Sequence, residues 1–141
     1  MSRFCYRPLH KYKYQLVEEF TCPMHRTFET APKEHEYVKI TTDGHITIRK
    51  YYSWDGTSGI PDTKRNLRAS LVHDALYQLM REGILNVDED RNWSDRLFQK
   101  MCREDEVWPL FAASYYLVLK WVGKKHASPQ EDRTPKPICL E

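Results

Sequence analysis

Four residues of this chain carry groups that can move a proton or hold a cation. They are His73, Asp74 and Tyr77 in the run His73-Asp74-Ala75-Leu76-Tyr77, and Asp95 some twenty positions on. On a helix, His73 and Tyr77 are one turn apart and share a face, while Asp74 is rotated about a quarter turn away. If the next helix packs antiparallel, Asp95 approaches the His73 ring. A carboxylate that accepts the proton of one imidazole nitrogen leaves the other nitrogen as a base at neutral pH. Just upstream lies a turn of small residues, Asp55-Gly56-Thr57-Ser58-Gly59. Carboxylates at Asp74 and Asp55, with backbone carbonyls near Gly56, are the hard oxygen donors that calcium takes. Such a cation would polarise an ester carbonyl.

Each of these features also has a structural reading. His73, Asp74 and Asp95 can form a hydrogen-bonded network that ties two helices together. The small-residue turn can be a loop leading into a helix, its Ser and Thr side chains satisfying free backbone groups there. Cys22 and His25 have ligand spacing for zinc, with Cys5 or His10 as partners, but a second regular ligand pair is missing.

The elements that must position these residues follow from periodicity. From Tyr12 to Trp54 the sequence is rich in aromatic and β-branched residues and predicts three to five antiparallel strands. Val38 and Ile40 alternate on one side of Asp43-Gly44, and Ile46 and Ile48 on the other. That pattern predicts a hairpin with both turn residues at positive φ. Leu67, Leu71, Leu76, Leu79 and Met80 then recur at helical spacing up to Gly83. A polar loop is expected over 86–91, then a second helix from Trp93 to Cys102 that buries Leu97, Phe98 and Met101. A third is expected from Pro109 to about Gly123, with Trp108, Phe111, Tyr115, Leu119, Trp121 and Val122 in the core. Strands followed by helices predict an α+β fold rather than a parallel sheet.

The length of 141 residues suits one domain, expected over 1–127. The Pro-bearing segment 128–141 is expected to be a flexible or partner-bound tail. A net charge of +2 gives no basic field for nucleic acid. The apolar run 107–122 is shorter than the ~20 residues of a bilayer span and holds Pro109 and Lys120, so no transmembrane segment is expected. The N-terminal stretch lacks the apolar core of a signal peptide, so the protein is expected to work in the compartment where it is made unless another machine carries it out. The four widely spaced cysteines are expected to be free thiols.

The residues between Trp54 and Cys102 resemble phospholipase A2 enzymes, which join a Gly-rich calcium loop to a helix bearing H-D-x-x-Y. In prokaryotic members a second helix bearing D-x-x-F, with a Met about one turn further on, follows. The matching residues are Asp55-Gly56-Thr57-Ser58, His73-Asp74-Ala75-Leu76-Tyr77, Asp95-Arg96-Leu97-Phe98 and Met101, about a third of the chain. The same pieces resemble a small uncharacterised family of phage and bacterial proteins. The resemblance implies a three-helix, phospholipase A2-like core. It also implies a calcium-dependent ester hydrolase with a lipid substrate: His73 as general base, Asp95 orienting it, Tyr77 bracing the site, and Asp74, Asp55 and Gly56 on calcium. The alternative is a non-enzymatic phage virion protein, a tail or capsid accessory, in which the His/Asp motif is structural. The β-section or the C-terminal tail would then contact other phage structural proteins, and the protein would be found in host cytoplasm or in the virion.

Overall fold

A computed structural model describes residues 4, 6–8, 13–31, 34–57 and 59–127. Ser58, Cys5, His10 and the segment 128–141, all invoked above, lie outside the described residues. The fold is α+β: short antiparallel strands in two sheets, then three helices. The described residues gather into two compact units, one up to Asp55 and one beginning at Gly56.

Among the described residues the first unit holds six short strands: β1 (Tyr6–Pro8), β2 (Tyr14–Leu16), β3 (Phe20–Pro23), β4 (Val38–Ile40), β5 (His45–Ile48) and β6 (Ser53–Trp54). Five of them, β2 to β6, fall between Tyr12 and Trp54 as expected, and β1 precedes that region. One sheet has the order β1-β2-β6 and the other β3-β5-β4, all antiparallel. Register follows the apolar alternation. Ile48 stands opposite both Phe20 and Val38, and Ile46 opposite both Cys22 and Ile40. All six of these side chains are buried, because a strand turns alternate side chains to one face. Trp54 is buried and meets Tyr6 edge-on and Phe4 and Tyr14 at a tilt.

The hairpin forms where expected, but its turn differs. The Thr41 N–H donates to the His45 carbonyl and the Gly44 N–H to the Thr41 carbonyl. Only Gly44 is left-handed (φ 85°), and Asp43 is not. This is the three-residue loop ending in a left-handed glycine. A side chain at 44 would run into the Arg26 carbonyl.

The second unit holds α1 (Leu67–Arg81), α2 (Val87–Glu104) and α3 (Pro109–Ala127). α1 buries Leu67, Leu71, Leu76, Leu79 and Met80 as its periodicity predicts. It ends at Gly83 (φ 74°), whose N–H donates to the Met80 carbonyl while that of Ile84 reaches Leu79. This is the Schellman arrangement that closes free carbonyls.

α2 begins at Val87, where a polar loop was expected. The Asn86 side chain accepts from the N–H groups of Asp88 and Glu89, and the Asp90 carboxylate accepts from the Asn86 N–H. The polar residues are thus the cap of the helix and its acidic first turn, which suits the helix dipole. Arg68, near the start of α1, donates to Asp105 at 2.9 Å and to Glu104 at 3.1 Å at the end of α2. The two helices therefore run antiparallel.

α3 departs most from expectation. It continues past Gly123 to Ala127. Leu119 is buried and Tyr115 half-buried, but Trp108, Phe111, Trp121 and Val122 are exposed. Its inner face is made instead by the small residues Ala112 and Gly123 with Leu119, so the large side chains turn outward. No helix among the described residues is long and apolar enough to cross a membrane.

Candidate functional site

The site grows from the seam between α1 and α2. His73 lies in the middle of α1, on the face that the surrounding leucines pull inward. Tyr77 is one turn further on and packs against it at a tilt, ring centres 4.1 Å apart. Asp95 comes from the facing side of α2. One carboxylate oxygen, Oδ1, meets both partners: His73 Nε2 at 2.8 Å and the Tyr77 hydroxyl at 2.6 Å. Phe98, one turn along α2 from Asp95, closes the His73 ring edge-on at 5.3 Å. All four side chains are buried.

Burial fixes the protonation states. Desolvation holds the His73 imidazole below its ordinary pKa; the Asp95 carboxylate opposes this and the Arg81 charge adds to it. The ring is therefore neutral at pH 7. A carboxylate has no proton to give, so Nε2 carries the hydrogen and donates it to Asp95. The lone pair is left on Nδ1. This nitrogen is enclosed and has no hydrogen-bond partner among the described residues. Burial, and then the charge of Asp95, pushes the Tyr77 phenol far above its usual range, so it too stays a donor.

Two residues that sequence reasoning passed over complete the network. Arg91 sits one turn before Asp95 on α2, its guanidinium 3.6 Å from the second carboxylate oxygen. It also donates to the Leu119 and Lys120 carbonyls of α3 at 3.4 Å. The i,i+4 spacing of Arg91 and Asp95 was visible in the sequence, but only to a reader who started the helix at Val87. Gly123 is the other. A Cβ on Gly123 would occupy the place of the Tyr77 hydroxyl, so the phenol reaches Asp95 only because α3 has a glycine there.

The residues expected to bind calcium are distributed differently. Asp74 is half-buried on α1 and has partners of its own. Asp55 closes the first unit; it is exposed, and its Oδ1 accepts from the Lys13 N–H at 3.3 Å. Gly56 opens the second unit at φ 88°, and a side chain there would collide with the carboxylate of Asp62. Asp62 is thus the acid packed against the Gly56 turn. Among the described residues no group of three or more His, Cys, Asp or Glu side chains is placed to hold a metal ion. A calcium ion here would depend on backbone carbonyls of the turn together with a carboxylate, a donor chemistry calcium accepts.

The turn does not cap α1. The helix starts after Asn66, whose side chain instead accepts from the Thr63 N–H at 3.0 Å and donates to the Pro61 carbonyl at 2.8 Å. Gly59 is left-handed and lies against Val118 of α3, so the turn is anchored to that helix. Cys22 and Cys102 are buried free thiols, and burial pushes Cys102 up to about 12.

No protein-family model, curated protein or solved structure matches this chain.

Proposed function

We propose that the second unit is a hydrolase of phospholipase-like chemistry, with His73 as its general base. One observation carries the reading: Asp95 and Tyr77 hold the His73 ring from one side while Nδ1, a strong acceptor, has no partner. Buried polar atoms are nearly always paired, and an orphan points to a ligand or a water in the working state. A water placed there would lose its proton to Nδ1 as its oxygen bonds to the carbonyl carbon of an ester. The same proton would pass to the leaving alkoxide as the ester C–O bond breaks. Asp95 would stabilise the imidazolium formed between the two steps. Tyr77 fixes the carboxylate, and Arg91 balances its charge. Calcium, the cation that the resemblance implies, would polarise the ester carbonyl. The lipid substrate and the phage setting are part of this proposal through the resemblance stated above. Nδ1 is enclosed, so turnover requires the wall over it to open.

The experiment is hydrolysis of a short-chain phospholipid by the purified chain with calcium. Release of fatty acid that His73→Ala abolishes supports the proposal. Equal turnover in both proteins removes it.

The enclosure of the same three side chains favours a second reading, in which they form a tie between helices in a non-enzymatic accessory protein of a phage particle. His73→Ala then lowers the melting temperature, and the wild-type protein releases no product at any calcium concentration.

A further inference from the structure

The outer face of α3 is apolar and exposed. Leu110 is 80 %, Leu117 54 % and Trp121 84 % exposed, with Trp108 (68 %) just before the helix and Phe111 (59 %) on its flank. Leu110, Ser114, Leu117 and Trp121 follow one another at intervals of four, three and four residues. At about 100° per residue these four lie within about 60° of one another, opposite the inward Ala112, Leu119 and Gly123. Alternating intervals of three and four make the seam along which two helices pack. The Ser114 hydroxyl donates to the Leu110 carbonyl at 2.8 Å, so it can be covered without losing a hydrogen bond. The face is also its own complement. A two-fold axis beside Ser114 lays two copies of α3 antiparallel. Leu110, four residues before the axis, then meets Leu117 of the other copy, three residues after it. Lys120, six residues after Ser114, comes level with Trp108, six before it, with Glu106 close beyond. Lys120, Trp108 and Glu106 are all exposed. An ammonium beside an indole and a carboxylate is attracted by both, and the symmetry makes that contact twice. At roughly 200 Å² for a large side chain, Trp108, Leu110, Phe111, Leu117 and Trp121 together offer on the order of 700 Å² per copy, near the ~800 Å² per partner of a stable interface.

We infer that the outer face of α3 is covered by a second copy of this chain, in a two-fold dimer of antiparallel α3 helices centred at Ser114. The pairing needs no turnover, so it stands or falls separately from the hydrolase reading. The test is sedimentation velocity of the full chain over a concentration series. A dimer is expected. Leu117→Glu enters a symmetric interface twice and should weaken it about a hundredfold or more, with the helix content by circular dichroism unchanged because the position is exposed. Lys120→Glu should weaken pairing about tenfold, and adding Glu106→Lys should restore it, since the swapped charges still meet across the axis. Ser114→Cys should form an intermolecular disulfide on mild oxidation to an extent that the wild type does not. A wild-type chain that is monomeric at every concentration would overturn the inference, whatever then covers the face. So would a dimer that Leu117→Glu leaves intact. A dimer split by Leu117→Glu, but neither restored by the charge swap nor cross-linked at Ser114→Cys, would overturn the antiparallel register.

Discussion

The hydroxyl of Tyr77 lies in the space that a side chain on Gly123 would fill. Two helices remote in sequence thus share one small volume. That volume is what lets the phenol donate to Asp95 at 2.6 Å. The glycine is inside α3 and not at its end, so its presence is a cost in helix propensity of about 1 kcal/mol relative to alanine. Close approach of the ring is the physical reason to accept that cost.

Gly123→Ala therefore tests which effect wins. Propensity alone would stabilise α3 by about 1 kcal/mol. Against this, the new methyl collides with the Tyr77 hydroxyl, fixed to a rigid ring whose Cζ would be 3.2 Å away, and overpacking of this kind costs about 1–3 kcal/mol. A net loss of stability in urea denaturation is expected. In a Tyr77→Phe background the same substitution should be milder, because the colliding atom is gone. A Gly123→Ala chain more stable than the wild type would show that the ring yields freely.

Asp95→Asn should be the most damaging conservative change in the network. Its carboxylate accepts from His73 and Tyr77 and faces Arg91. The amide keeps the shape but loses the charge opposite Arg91, and its NH2 group has no proton acceptor to meet among these donors. Breaking a buried pair in this way costs about 3–5 kcal/mol. The measurement is the urea midpoint, with the hydrolysis assay run at a temperature where the variant stays folded. A midpoint within error of the wild type would mean that the network contributes little to folding.

The pH dependence has a definite sign. The folded pKa of His73 lies below the ordinary 6.5 because burial penalises the imidazolium. Between that depressed value and 6.5 the unfolded chain binds more protons than the folded one, so stability rises with pH. The contribution is fully present above about 6.5 and is lost as pH falls through the window beneath it. A stability profile of the wild type should show this slope, and His73→Gln should flatten it. Any hydrolysis that uses neutral His73 should be level with pH around 7. An equal slope in wild type and variant would locate the titrating group elsewhere.

Sequence periodicity captured what depends on local pattern. The leucines of α1, the Leu97, Phe98 and Met101 stripe and the 38–48 hairpin are buried or paired as their spacing implies. The pairing of His73 with Asp95 was also legible, because helical spacing and an antiparallel turn together bring them near. Two kinds of feature were hidden. Asn86 to Arg91 read as a loop because its residues are polar, yet polar residues are what a helix start requires. The aromatic run of α3 read as core because hydrophobicity does not say which face packs. Ala112 and Gly123, small enough for close approach, took the inner side. Nor does any spacing rule connect Gly123 with Tyr77, since that contact exists only once the helices are assembled.

The start of α2 offers the last prediction, and it reaches the site through the backbone. Asn86 accepts from two free N–H groups at 2.8 and 3.1 Å, and removing such a cap costs about 1 kcal/mol. Arg91, in the second turn of the helix, takes its position against Asp95 and the α3 carbonyls from that start. Asn86→Ala should therefore lower stability by about that amount and speed amide exchange over 87–91. Asn86→Asp should retain protection, because aspartate caps as well and adds a negative charge at the positive end of the helix dipole. If the alanine variant frays the first turn, any activity dependent on Asp95 should fall with it, while the exchange of α1 around His73 stays slow. Unchanged exchange over 87–91 in Asn86→Ala would mean that the packing of α2 against its neighbours, and not the cap, sets where the helix begins.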